Sequence, residues 1–218
     1  MSDRRSESGG GSAPTTELVG LITAAGESTR MGGFPKPLLT FDGQRFVERL
    51  VETYRAAGVD RVVVVLGHEA DEVGRRADLS GATVVLNPDY EDGMLSSVRC
   101  GVEVAREADA DGLLLTPVDY PLVPQSVVER LIDSFDGEPR DADVVPPAVD
   151  GGRGPPPLFS ASVFADLLDA PPDEGARAVV YDETTDTRDV PVEDDRIFVD
   201  IDTPEEYWEA VKRYEPVP

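Results

Sequence analysis

Runs of consecutive apolar residues alternate along this 218-residue chain with segments in which apolar residues recur at helical spacing. The run Arg61–Leu66 reads RVVVVL, so a strand formed by it needs cover on both faces. The alternation therefore predicts an α/β fold with a doubly wound, mostly parallel sheet and helices on both faces, in which ligands bind beyond the carboxyl ends of the strands. We predict strands at residues 18–23, 61–66, 82–86, 112–116 and 142–146, a short extended piece at residues 37–41, and helices around residues 46–54, 69–76, 95–105 and 127–135.

Length and composition suit one domain. Forty per cent of the residues are hydrophobic, which is enough for a sizeable core in a chain of 218 residues. Residues 1–16 are rich in Ser, Gly, Arg and Thr and predict a disordered tail, which leaves residues 17–218 as a single domain.

The charge of the chain is strongly acidic, with 44 Asp and Glu against 20 Lys and Arg and a net charge of −24. This excess argues against binding to nucleic acid or to anionic membranes. Only Lys36 and Lys212 are lysines, and an acid-rich, lysine-poor surface is typical of a protein kept soluble in brine. Since the Debye length falls to about 3 Å at 1 M salt, distant carboxylates then cease to repel an anionic ligand. We expect the fold to be lost when salt is removed.

The remaining general features indicate a cytoplasmic protein without a cysteine-based site. Cys100 is the single cysteine, so an intrachain disulfide or a cysteine zinc cluster is excluded, and we expect it to be a buried small residue. His68 is the single histidine and is interpreted as structural. The chain has no apolar signal region and no run of 18 apolar residues.

The first predicted strand leads into a loop whose composition indicates phosphate binding. Small residues let backbone N–H groups approach an anion closely, and Arg30 and Lys36 add full positive charges. An ordinary glycine-rich turn with solvated basic residues is the alternative. The residues of this loop that we expect to bind a nucleotide are Ala24, Ala25, Gly26, Ser28 and Gly32.

The loop has neither a Walker A sequence nor the G-x-G-x-x-G fingerprint of dinucleotide-binding folds. It reads A-A-G-x-S-x-R-M-G, three residues, then Lys36, and this pattern resembles the signature loop of the MobA-like nucleotidyltransferases. The resemblance implies a Rossmann-like nucleotidyltransferase fold and transfer of a nucleoside monophosphate from an NTP to a phosphate, with Arg30, Lys36 and Asp119 as catalytic residues.

A second motif, N-P-D-Y-E-D-G-M-L-S-S-V-R from Asn87 to Arg99, follows the third predicted strand. A helix that begins after Gly93 would place hydroxyls and a basic residue near its N-terminus, where anions bind. A loop followed by a self-capped helix is the alternative. By resemblance to the same family, Asn87, Gly93 and Ser97 lie near the base and ribose, and Arg99 is assigned to the phosphorylated acceptor.

Three carboxylates are candidates for a magnesium site. Asp119 follows the carboxyl end of the fourth strand, and Mg²⁺ prefers one or two carboxylates together with substrate phosphates. Asp200 and Asp202 alternate in the segment V-D-I-D-T-P-E-E and would project to one side of a strand. Thr203 and Glu206 there predict a helix-capping box. The family takes its metal ligands from matching places; we favour Asp200 as the second ligand, with Asp202 close behind.

The acceptor side departs from the family pattern. Gly154 matches the family's Gly-His-Pro segment, but Pro155 replaces the histidine and removes a hydrogen-bond donor. Arg177, in G-A-R-A, could hold an acceptor phosphate or lie on a helix surface.

Within the family, the motifs are most similar to the molybdenum cofactor cytidylyltransferases. The resemblance implies CTP as the favoured substrate with GTP left open, Mg²⁺ as cofactor, molybdopterin as acceptor, and transient contact with molybdoenzymes or their chaperones. Two alternatives stay open, namely a sugar-1-phosphate or related nucleotidyltransferase and a non-catalytic nucleotide-binding regulator.

Overall fold

The computed structural model describes residues 16–59, 61–137 and 142–214. The predicted tail, residues 1–16, lies outside these ranges except for Thr16. The described helices are α1 (Phe46–Ala56), α2 (Ala70–Arg76), α3 (Met94–Glu107), α4 (Gln125–Asp136), α5 (Phe164–Asp169), α6 (Ala176–Tyr181) and α7 (Pro204–Tyr214). The strands are β1 (Leu18–Ala24), β2 (Thr40–Phe41), β3 (Gln44–Arg45), β4 (Arg61–Leu66), β5 (Thr83–Leu86), β6 (Gly112–Pro117), β7 (Val144–Val145), β8 (Pro147–Val149), β9 (Gly152–Arg153), β10 (Leu158–Ser160) and β11 (Val190–Pro191).

Six of these strands form the central sheet, in the order β5-β4-β1-β6-β10-β7. The strands β5, β4, β1 and β6 pair in parallel, whereas β10 runs antiparallel to both of its neighbours. The predicted doubly wound, mostly parallel sheet is confirmed. β1 lies between β4 and β6, so the loops that follow these strands meet at one edge of the sheet.

Alternate residues of β1 serve two separate apolar layers. Leu18 and Ile22 pack in a cluster with α1 and α4, whereas Val19 and Leu21 pack in a cluster with α3, α5 and α6. Side chains alternate between the faces of a strand, so a strand that is apolar throughout contributes to both layers. The helices therefore cover both faces, as the sequence predicts.

Helix α1 is fixed to the middle of the sheet through Tyr54. A Cβ atom on Gly20 would lie 2.9 Å from the Tyr54 ring, so only glycine allows this approach. The Tyr54 hydroxyl is 2.7 Å from the Thr116 hydroxyl, and burial raises the pKa of Tyr54 well above its usual value. These contacts attach α1 to two neighbouring strands, β1 and β6.

Three local expectations differ from the structure. The strand expected at residues 142–146 is limited to β7, because the chain leaves the central sheet at Pro146 and continues as β8 in a three-stranded sheet with β11 and β9. The extended piece expected at residues 37–41 is a 3₁₀ turn, Lys36–Leu38, followed by the β2–β3 hairpin. Residues 199–203 form an irregular segment rather than a strand. Among the described residues, every helix is too short or too polar to cross a lipid bilayer.

Candidate active site

The loop after β1 is closed by Ser28. The Lys36 N–H donates to Ser28 Oγ over 3.0 Å, and the N–H groups of Met31 and Gly33 donate to the Ser28 carbonyl oxygen over 2.9 and 3.3 Å. Ser28, Gly32 and Gly33 all have left-handed backbone angles, with φ of 53°, 66° and 82°. The glycines of this motif thus shape a tight loop.

A cavity of about 690 Å³, here called the phosphate-loop cavity, opens over this loop. It brings together most of the residues that the sequence assigns to the nucleotide, whereas Gly32 does not line it and acts in the turn. The lining includes Thr23, Ala24, Ala25, Gly26, Ser28, Arg30, Lys36, Gly93, Ser97 and Asp119.

Lys36 is buried at the floor of this cavity, with 8% of its side chain exposed. Its Nζ atom lies 3.1 Å from Asp119 Oδ1 and also donates a hydrogen bond to Asp202 Oδ1. Arg30, whose side chain is largely exposed, pairs with the other oxygen of Asp202. A buried ammonium is tolerated only where carboxylates compensate its charge, so these ion pairs explain how Lys36 sits inside the protein.

Asp119, Asp200 and Asp202 converge although they come from two distant segments. Asp119 follows β6, and its carbonyl oxygen accepts a hydrogen bond of 2.9 Å from the N–H of Ile201. Ile201 is fully buried, and the carboxylates of Asp200 and Asp202 on either side of it lie near the carboxylate of Asp119. One carboxylate oxygen from each aspartate lies within 4.8 Å of the others, and such hard oxygen donors suit Mg²⁺ or Mn²⁺.

Burial and the crowding of negative charge raise the pKa values of two of these aspartates. Burial raises the pKa of Asp119 above its usual value, although Lys36 opposes the shift. Burial, together with the charges of Asp202 and Asp119, raises the pKa of Asp200 to about 6. The Tyr120 hydroxyl donates to Asp200 Oδ2 over 3.3 Å. The three carboxylates, when ionised, carry more negative charge than Lys36 and Arg30 neutralise. A divalent cation would offset this excess.

A second cavity of about 510 Å³ adjoins the first. We call it the proline-lined cavity, because Pro146, Pro155 and Pro157 line it. Gly154 and Arg177, two of the three residues predicted to bind the acceptor, lie in its wall. Arg30, Met94, Pro117 and Asp119 line both cavities, which therefore meet beside the carboxylates.

Asn87 supports the phosphate-loop cavity without lining it. Its buried amide donates to the hydroxyls of Ser96 and Ser97 over 2.8 and 3.0 Å, and its Oδ1 accepts the N–H of Asp89 over 2.9 Å. These bonds fix the start of α3, where Gly93 and Ser97 face the cavity. In the structure Asn87 therefore positions two residues of the cavity wall through α3.

Arg99 is turned away from both cavities. Its Nε donates to the Leu168 carbonyl over 2.8 Å and its Nη2 to the Ala170 carbonyl over 3.4 Å. Residues two apart on a helix face different directions, so Arg99 points toward α5 while Ser97 faces the cavity. The structure does not place Arg99 where the sequence assigned it, at the acceptor.

Thr23 is a cavity residue that the sequence motifs did not indicate. It is 7% exposed, lines the phosphate-loop cavity, and its hydroxyl has no hydrogen-bond partner among the described residues. A buried hydroxyl without a partner costs free energy, so a ligand that reached this group would supply its missing hydrogen bond. A threonine at the end of a strand looks like an ordinary strand residue, so the sequence carried no signal for it.

The sequence model of the MobA-like NTP transferase domain matches residues 20–187, which include the phosphate loop and Asp119. The chain belongs to this family of nucleotidyltransferases. The resemblance found in the sequence motifs is thereby confirmed.

The curated relatives of this NTP transferase domain carry different names, as three of them show. The molybdenum cofactor cytidylyltransferase of Escherichia coli K12 is 27% identical over 195 residues, 89% of this chain and 95% of that protein. The molybdenum cofactor guanylyltransferase of Cereibacter sphaeroides ATCC 17029 is 36% identical over 153 residues, 69% of this chain and 72% of that protein. The nicotine blue oxidoreductase of Paenarthrobacter nicotinovorans is 37% identical over 117 residues, but the match spans only 54% of this chain and 56% of that protein.

Solved structures with the same fold include Rv0371c from Mycobacterium tuberculosis H37Rv, with a TM-score of 0.76 and 27% identity over 90% of this chain and 98% of that one. The structure of its complex with manganese superposes with a TM-score of 0.72 at 25% identity, covering 91% of this chain and all (100%) of that one.

Proposed function

We propose that this chain transfers a nucleoside monophosphate from an NTP to a phosphorylated small molecule and releases pyrophosphate. The observation that carries the proposal is the meeting of two cavities at Arg30 and Asp119. One cavity is built over a phosphate-binding type of loop, and the other offers space for a second reactant. A transfer reaction needs two reactants held end to end, and two adjoining cavities can hold them in this way.

The nucleotide is assigned to the phosphate-loop cavity. Backbone N–H groups of the loop, with Lys36 and Arg30, would hold the triphosphate. Gly93 and Ser97 would face the ribose and base, and Thr23 would give its free hydroxyl to the nucleotide. Lys36 and Arg30, which already pair with Asp202, would then also form charge-assisted hydrogen bonds to the phosphates.

The chemical step is an in-line displacement. An oxygen of the acceptor phosphate attacks the α-phosphorus, a new P–O bond forms, and the bond between the α-phosphorus and the bridging oxygen breaks, so that pyrophosphate leaves with the electron pair. The acceptor is already anionic, so no general base is required. Lys36 and Arg30 neutralise the charge that develops. A divalent cation held by Asp119 with Asp200 or Asp202 would add Lewis-acid stabilisation, and Mg²⁺ is our candidate.

CTP as donor and molybdopterin as acceptor are the favoured substrates. The E. coli relative named as a molybdenum cofactor cytidylyltransferase matches 89% of this chain, which supports this choice. Because another relative is named as a guanylyltransferase, GTP is the alternative donor. Pro155, which stands where the family has histidine, makes the acceptor the part most in need of a direct test.

The test is pyrophosphate release by the full chain in high salt with Mg²⁺. CTP and GTP are each supplied alone, with molybdopterin, or with glucose 1-phosphate. We expect release that depends on both CTP and molybdopterin. Release with the sugar phosphate alone would favour the sugar-1-phosphate alternative. Tight CTP binding without release under any condition would favour the non-catalytic regulator and contradict the proposal.

A further inference from the structure

Asp119 lies in a short turn after β6, residues 118–121, which we call the aspartate turn. The Val118 N–H donates a hydrogen bond of 3.0 Å to the Thr23 carbonyl oxygen, which attaches the turn to β1. The Ile201 N–H donates to the Asp119 carbonyl oxygen over 2.9 Å, which attaches the turn to the segment between the other two aspartates. Both bonds join backbone groups, so a substitution does not remove them.

A side chain of α1 forms a further hydrogen bond to this turn. The Nε–H of Arg49 donates to the Pro121 carbonyl oxygen over 3.0 Å. Pro121 is buried, and a buried carbonyl oxygen that lacks a partner costs free energy. The proline ring fixes the φ angle of Pro121 and restricts the backbone of Tyr120, so few flexible angles separate this carbonyl group from Asp119. The hydrogen bond from Arg49 therefore limits where the Asp119 carboxylate can lie.

The guanidinium group of Arg49 is half-buried in surroundings that disfavour its charge. Burial and the nearby charge of Arg196 lower the pKa of Arg49. The carboxylates of Asp42 and Glu52 oppose this shift without cancelling it. The Cζ atom of Arg49 is 5.5 Å from the centroid of the Phe41 ring, a contact that helps to hold the side chain in place. The hydrogen bond to the turn and this ring contact are thus what an arginine supplies here.

Arg49 does not line either of the two cavities that meet beside Asp119. An effect of Arg49 on the site must therefore pass through the aspartate turn. The three aspartates themselves fit a hard divalent cation, because one carboxylate oxygen of each lies within 4.8 Å of the others.

From these contacts we propose that Arg49 is a positioning residue, which holds the aspartate turn so that the Asp119 carboxylate is placed to bind a divalent cation. The inference rests on the proposed function, because it takes Asp119 as a metal ligand. It goes beyond that function by assigning the placement of this ligand to a helix residue outside both cavities.

Arg55, one turn and a half further along α1, offers a matched control. Its Nη1 donates to the Gly81 carbonyl oxygen over 3.2 Å. Gly81 precedes the amino end of β5, whereas the candidate site lies beyond the carboxyl ends of the strands. Both arginines thus bond a backbone carbonyl group to α1, but of the two, Arg49 bonds the segment that carries a site residue.

The experiment measures Mn²⁺ binding to the full chain in high salt by electron paramagnetic resonance. Arg49→Met removes the donor and the charge, and Arg49→Lys keeps the charge but lacks the guanidinium group. Arg55→Met is the control. Thermal melts give the stability of each variant, and the titrations are made at a temperature at which all of them are folded. The exchange rate of the Ile201 amide hydrogen, measured by NMR without metal, reports on the turn independently of metal binding.

We expect Arg49→Met to weaken Mn²⁺ binding about tenfold, the lower end of the loss caused by removing a group that orients a metal ligand. Arg49→Lys should weaken it in the same direction. Removal of a positive charge alone would leave the binding of a cation unchanged or strengthen it, so the sign of the change separates positioning from simple electrostatics. The Ile201 amide should exchange faster in Arg49→Met, and Arg55→Met should change neither quantity.

Wild-type Mn²⁺ affinity in the Arg49 variants would overturn the inference, even if their melting temperatures fall, because the residue would then serve stability alone. Arg49→Lys decides the question if Arg49→Met does not fold. If the wild-type chain itself fails to bind Mn²⁺, the metal assignment within the proposed function is at fault. The Ile201 exchange rate then decides whether Arg49 holds the turn, and an unchanged rate would overturn that as well.

Discussion

The ammonium group of Lys36 lies 3.1 Å from the carboxylate of Asp119, although one residue follows β1 and the other follows β6. Both residues line the phosphate-loop cavity, and Asp202 from the wall of the adjoining cavity also bonds to Lys36. The lysine proposed to bind phosphate and the carboxylates proposed to bind a metal thus lie within one site. The proposed transfer therefore depends on the loop that carries Lys36 as well as on the sheet that brings Asp119 beside it.

Replacing Lys36 by alanine is expected to lower kcat more than it weakens substrate affinity. The lysine is proposed to stabilise charge that develops at the α-phosphate, and loss of one such electrostatic donor costs about 2–4 kcal/mol of transition-state stabilisation. Steady-state pyrophosphate release measures both constants. Lys212→Ala is the matched control, because Lys212 is exposed on α7 and is the only other lysine. An unchanged kcat in Lys36→Ala would falsify the role.

Replacing Asp119 by asparagine should abolish metal-dependent turnover and weaken metal binding. The amide keeps the shape of the side chain but removes the charge that a divalent cation needs. Electron paramagnetic resonance of added Mn²⁺ reports binding independently of activity. Asp133→Asn, on the exposed side of α4, should bind Mn²⁺ as the wild type does. Full Mn²⁺ binding by Asp119→Asn would remove this carboxylate from the metal site.

The raised pKa of Asp200 predicts a pH-dependent difference in stability between the wild type and Asp200→Asn in the absence of metal. Because the folded-state pKa is about 6 and the ordinary value is 3.8, the folded protein binds more protons between these values. Ionised Asp200 therefore destabilises the fold above pH 6, and this penalty disappears as the pH falls toward 4. In EDTA, thermal melts should show Asp200→Asn as the more stable protein at pH 7.5, with the gap closing near pH 4.5. A gap that is constant across this range would contradict the shift.

Replacing Thr23 by valine should leave the free energy of unfolding unchanged or raise it, while KM for the nucleotide rises. Valine has the same shape, and removing a buried hydroxyl that has no partner loses no hydrogen bond in the folded protein. Urea titration gives the first quantity and initial rates give the second. A stable variant with wild-type KM would show that the nucleotide does not use the hydroxyl.

Salt removal tests the interpretation of the acidic composition. At low ionic strength the repulsion among the carboxylates of a chain with net charge −24 is no longer screened, and we expect the fold to be lost. Far-UV circular dichroism during dialysis from concentrated KCl into dilute buffer measures this loss. Dialysis into concentrated sucrose separates charge screening from solvent exclusion. A spectrum that stays the same in dilute buffer would contradict the expectation.

Local sequence patterns predicted much of this architecture, because continuous apolar strands and helical spacing act over a few residues. The bounds of β4 match the prediction, and the capping box places the start of α7 at Pro204, with Glu206 accepting bonds from Thr203. The prediction failed where tertiary context decided the local structure. At Pro146 the chain leaves one sheet for another, and residues 199–203 are held by Asp119 instead of by a strand partner.

The sequence by itself determined the fold class and singled out the loop after β1 and the three aspartates as candidates, since each depends on residue type and short-range order. Only the tertiary structure decided which side chains meet. It brought Asp202 to Lys36 and Arg30, turned Arg99 toward α5, used Asn87 to hold α3, and left the Thr23 hydroxyl without a partner in the cavity wall. These contacts join residues far apart in the chain, and they depend on how helices and strands pack, which no local pattern specifies.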